Sequence, residues 1–79
     1  MEKKDVVQKL TPIFRSVFSD NSLVLTDQLT AQDVANWDSL SHMLLISEVE
    51  SKFSIKFRLK ELNKMANVGD MIDVIISKL

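Results

Sequence analysis

Seventy-nine residues make one small domain, expected to span 1–79, near the lower limit at which a core alone can hold a fold. A hydrophobic content of 46% suffices for one core and leaves little for a deep substrate cavity; the absence of cysteine excludes a disulfide staple, a thiolate zinc site and a catalytic thiol of the chain's own. The net charge of −1 conceals an asymmetry: Ser16 to Ser51 contains no Lys or Arg, against Asp20, Asp27, Asp33, Asp38, Glu48 and Glu50, whereas Lys52, Lys56, Arg58, Lys60 and Lys64 face Glu61 alone.

The N-terminus, MEKKDVVQKL, lacks the apolar core of a signal peptide, and no run approaches the ~20 apolar residues of a membrane span. A cytoplasmic monomer without membrane insertion is expected. The first helix should cover Lys3 to Phe18, with Val6, Leu10, Ile13, Phe14 and Val17 at helical spacing on one face. Pro12 cannot donate to the Gln8 carbonyl, which predicts a kink, or a new helix start capped by Thr11.

Ser19 to Trp37 has no sustained period and is rich in Asp, Asn, Ser and Thr. A structureless loop of that length is unusual, so Leu23, Leu25, Leu29 and Val34 are expected to anchor it, and Thr30 with Asp33 to start a turn inside it. Its acids are expected to face a partner different from that of the basic segment. Trp37 should pack the loop on the bundle, its indole N–H finding an acceptor.

Asp38 suits the N-cap of a second helix running to Phe53. Leu40, Met43, Leu45, Ile46, Val49 and Phe53 are assigned to its inward face, with Ser41, Leu44, Ser47, Glu48 and Ser51 opposite. A short helix is expected over Leu59 to Met65, with Leu59, Leu62 and Met65 turned inward. The last helix opens at Asn67 with Asp70 answering the cap, and buries Val68, Met71, Ile72, Ile75 and Leu79. No stretch alternates as a strand would. The fold class is all-α: three longer helices and one short, with a long loop between helices 1 and 2.

Ser39 is the residue to explain. As a nucleophile it would need a base, and His42 lies one turn on. No glycine-lined oxyanion hole accompanies the pair, and a lone histidine is more often found at a helix surface or core edge. The bland alternative makes Ser39 part of the cap, which leaves the acidic loop unexplained. A third reading uses the helix N-terminus itself, whose free N–H groups and partial positive charge favour a phosphate attached to Ser39.

The DSL tripeptide at Asp38 to Leu40 resembles the attachment motif of acyl carrier proteins. The resemblance covers the whole chain, through the first helix, the long polar loop, and the apolar order Leu40, Met43, Ile46, Val49, Phe53. It implies a four-helix bundle whose interior can shelter an acyl chain, with 4′-phosphopantetheine from coenzyme A on Ser39 and Asp38 positioning the modifying transferase. It implies a non-enzymatic carrier of thioester intermediates in fatty-acid, polyketide or other specialised acyl transfer. Partners would be a phosphopantetheinyl transferase and acyl-activating, synthase or acyltransferase enzymes, docking on helix 2 through Leu40, Ser41, Leu44, Ser47 and Glu48. Tethering gives the cargo a high effective concentration at each docked enzyme.

The chain departs from the acidic pattern usual in fatty-acid carriers. Helix 2 has only Glu48 and Glu50 as acids, and the segment SIKFRLKELNK is basic where acids are common. A dedicated carrier relying more on apolar contact is expected. Aminoacyl or peptidyl cargo, and an unmodified helical interaction module, are the alternatives. Nucleic-acid binding through Lys52 to Lys64 is opposed by the net charge and the acidic middle.

Overall fold

A computed structural model describes residues 2–79. Four helices follow in order: α1 (Lys3–Val17), α2 (Ser39–Phe53), α3 (Leu59–Lys64) and α4 (Val68–Lys78). There is no strand among the described residues. Among them too, no helix is long and apolar enough to cross a membrane. The all-α expectation of three longer helices and a short fourth holds.

α1 forms the spine because its stripe Val6, Leu10 and Phe14 recurs every four residues and is fully buried. It packs against both α2 and α4. Pro12 neither kinks nor restarts it: α1 runs through Pro12 unbroken. The Thr11 hydroxyl donates instead to the Val7 carbonyl at 2.8 Å, so Thr11 is no cap. Pro12 and Gln8 are both exposed, so the carbonyl that lacks a donor lies where water can reach it.

In α2 the inward stripe is His42, Leu45, Ile46, Val49 and Phe53, the spacing of one helical face. Leu40 and Met43 do not join the core as expected; they are 82% and 65% exposed. Nine residues at ~100° each put Leu40 about 180° from Val49. Apolar residues occupy both faces of α2, and those of the buried stripe alone face the core.

α3 contributes no buried residue. Leu62 and Met65 are partly buried against the core, but Leu59 at its start is 74% exposed, contrary to expectation. In α4, Val68, Met71, Ile72 and Ile75 are buried as expected, whereas Leu79, past the last turn, is 52% exposed. Asn67 caps α4 by accepting from the Asp70 N–H at 2.8 Å, and Asp70 answers to the Ala66 N–H at 3.0 Å.

The long loop is irregular but tightly held. Leu23, Leu25 and Leu29 pack on the core and Val34 is buried. The Val68 and Gly69 N–H groups, at the start of α4, donate to the Leu29 and Asp27 carbonyls at 2.9 and 3.0 Å. These bonds satisfy helix donors that have no partner within α4. They also explain the only glycine, since a Cβ at Gly69 would stand 3.1 Å from both the carbonyl oxygen and Cβ of Asp27.

Candidate functional site

The loop ends on Asn36, whose φ of 70° turns the chain back toward the bundle. Asn is among the few residues that tolerate this left-handed conformation. Trp37 then lies edge-on to Phe14 at 5.6 Å and tilted against Phe18 at 5.2 Å. Its indole N–H donates to His42 Nδ1 at 3.1 Å, the acceptor expected for a half-buried indole. The His42 and Trp37 rings are nearly parallel, with 21° between their planes.

Accepting that bond requires Nδ1 to be unprotonated. Burial pushes the His42 pKa down, in the same direction. With Nδ1 committed to Trp37, His42 is a core-edge residue that locks the loop onto α2. The arrangement gives no support to a Ser39–His42 hydrolytic pair.

Asp38 and Ser41 close a reciprocal cap on α2. Asp38 Oδ1 accepts from the Ser41 N–H at 2.9 Å, and Ser41 Oγ accepts from the Asp38 N–H at 2.8 Å. The Ser41 hydroxyl also donates to the Asn36 carbonyl at 2.7 Å, tying the cap to the turn before Trp37. The Ser41 N–H, followed by its hydroxyl, holds the Asp38 carboxyl below its ordinary pKa, so it is ionised at neutral pH.

Ser39 is left at the first position of α2, exposed, and none of these cap bonds uses its hydroxyl. It borders an open depression of about 350 Å³ shared with Ala31, Trp37, Asp38 and His42. A second cleft of about 80 Å³ shares Ala31, Trp37 and His42 and is also lined by Met65, Ala66, Asn67 and Met71. The two lie side by side between the loop, α2 and α4, and the smaller one reaches Met71. Sequence reasoning missed the smaller cleft because Ala31, Met65 and Met71 share no motif.

The outer face of α2 carries Leu40, Leu44 (51% exposed), Ser47 and Glu48 in the open, where the sequence placed all but Leu40. Met43 joins them. Ser41 differs from the other expected docking residues, because it is half-buried and its hydroxyl serves the cap. Met43 and Leu44 each stand one turn on from Leu40, and the three give α2 an exposed apolar side close to Ser39.

A four-helix bundle that displays a free serine at a helix tip, flanked by an apolar helix face and a cleft leading inward, has the build of a small carrier. No protein-family model and no curated protein sequence matches the chain. Among solved structures, it is similar to the holo acyl carrier protein from Geobacter metallireducens, determined in solution by NMR. The TM-score is 0.88 at 52% sequence identity, over 92% of this chain and 84% of that one. The chain belongs to the acyl carrier protein family.

Proposed function

We propose that residues 1–79 form a single carrier domain that bears 4′-phosphopantetheine on Ser39, holds acyl intermediates as thioesters on that arm and delivers them to the enzymes of a specialised acyl-transfer pathway. The observation that carries this reading is the exposed Ser39 hydroxyl at the tip of α2, left out of the cap that surrounds it. The holo state of the 52% identical relative supports it. The arm would supply the thiol that this cysteine-free chain lacks.

The residues present fit such a group. The first turn of α2 offers a positive end to a phosphodiester on Ser39. The Asp38 carboxylate lies beside the serine, charged and fixed by its bonds to Ser41, so it can meet a metal-dependent transferase without rearrangement. Leu40, Met43 and Leu44 give an enzyme an apolar surface within a turn or two of the attachment point. The cleft past Trp37 and His42 offers an apolar cargo partial shelter.

Co-expression with a phosphopantetheinyl transferase should raise the intact mass by one phosphopantetheine, and Ser39→Ala should abolish the gain. A wild-type chain left unmodified by several transferases overturns the reading.

A further inference from the structure

Acidic and basic side chains are used differently along this chain. Asp20 accepts from the Ser22 N–H and hydroxyl, Asp27 pairs with Lys3, Asp33 caps Thr30 and Asp38 caps α2. In the basic segment the one acid, Glu61, pairs with Lys78 of α4 at 2.8 Å and accepts from the Arg58 N–H. Lys52, Lys56, Arg58, Lys60 and Lys64 are exposed, and none has an ion-pair partner among the described residues. Leu59, itself 74% exposed, stands between Arg58 and Lys60 in this segment.

This segment adjoins the outer face of α2. Ser47 and Ser51 of that face share an open depression of about 540 Å³ with Glu50, Ser54, Ile55 and Lys56. The Glu50 carboxylate there accepts from the Phe57 N–H at 2.8 Å, so it fixes the connection to α3. An enzyme seated on Leu40, Met43 and Leu44 that follows α2 toward its C-terminus passes exposed Glu48 and then meets Lys52 and Lys56.

We propose that the basic segment is part of the docking footprint and selects, by charge, enzymes whose docking face sets carboxylates beside an apolar depression. Like charges facing each other across an interface repel, so the same cations reject enzymes with a basic docking face. An acidic protein fits better than an anionic membrane. α3 has six residues and no amphipathic length, and the exposed leucines form separate patches on α2 and α3. The inference rests on the carrier reading above, and the two can fail separately.

The test is a charge-swap cycle on holo protein whose modification is first verified by intact mass. The probe is an acyltransferase that loads carrier thiols and uses a basic docking face, taken as wild type and with its docking arginines changed to glutamate. The carriers are wild type, the Lys56→Gln/Lys60→Gln pair and the Lys56→Glu/Lys60→Glu pair, with circular dichroism checking the fold.

Wild-type carrier should favour the glutamate-bearing enzyme by about tenfold or more in kcat/KM, carried by KM. The Lys56→Glu/Lys60→Glu carrier should reverse the preference and the glutamine pair should fall between. Near 1 M salt, where screening acts over ~3 Å, the differences should collapse. Additive effects of carrier and enzyme changes overturn the proposal, as does a preference of wild-type carrier for the basic face. Lysine-dependent binding to phosphatidylglycerol vesicles without coupling in the cycle would assign the segment to a membrane instead. Absence of the phosphopantetheine mass refutes the carrier reading before the cycle begins.

Discussion

The loop between α1 and α2 and the connection from α2 through α3 are both polar and irregular, yet they treat their charges in opposite ways. In the loop, Asp20 and Asp33 each complete a local contact, Asp27 pairs with Lys3 of α1, and the chain is sealed to α4 through Leu29 and Asp27. In the connection, the cations point to water and only Glu61 and Glu50 secure the backbone. A run of like charge in a sequence therefore carries no fixed meaning. Asp20, Asp27, Asp33 and Asp38 of the acidic run help hold the scaffold that presents Ser39, while Glu48 and the basic run stand exposed on the surface.

The largest effect should come from removing what the loop rests on. Phe14 is fully buried in α1, and both Phe18 and Trp37 lie against its ring. Phe14→Ala should cost about 3–5 kcal/mol in urea unfolding. A loss below about 1 kcal/mol would mean that Trp37 and the loop are not seated on α1.

Gly69→Ala should act at the other end of the same seal, with a smaller cost. A helix interior gains about 1 kcal/mol from alanine over glycine. Forcing a methyl group into packed surroundings costs about 1–3 kcal/mol. At Gly69 the obstruction is the Asp27 backbone, which is held 3.0 Å away by the hydrogen bond that closes the seal. Overpacking should win, and the net change should be a loss of up to about 2 kcal/mol. A variant more stable than wild type would show that the loop yields easily and that the contrast with the α3 connection is overdrawn.

What could be read from the sequence follows from how local each feature is. Helix limits, the Asp38 and Asn67 caps and the stripe of α1 depend on neighbours within one or two turns, and they were legible. Leu40 and Met43 were misplaced because apolar residues occupy both faces of α2, so hydrophobicity alone cannot say which faces inward. The spacing from His42 through Leu45, Val49 and Phe53 identifies that face, provided a histidine is allowed to start a buried stripe. The cleft beside Ser39 was not legible at all. It is assembled from the loop, α2, α4 and the turn after α3, and no spacing records that meeting.

The loop should also reveal itself through pH, in two separable windows. His42 has a folded-state pKa below its ordinary 6.5, because burial opposes the charged form. Above that ordinary value both folded and unfolded chains are neutral there, and His42 makes no difference. As pH falls below it the unfolded chain takes up the proton first, so stability declines until the folded pKa is passed. Asp20 and Asp38 respond at lower pH: their carboxyls are held below the ordinary 3.8, so the stability they add is present above that value and lost as pH drops through the depressed one. His42→Gln keeps an acceptor for the Trp37 indole but has no proton to gain. Its unfolding free energy should be flat between pH 7 and the carboxylate range and then fall with wild type, whereas wild type should already slope downward just below 6.5. Parallel curves for the two proteins across that upper window would mean that His42 is no drier in the folded chain than in the unfolded one, and that the clasp between Trp37 and α2 is open to water.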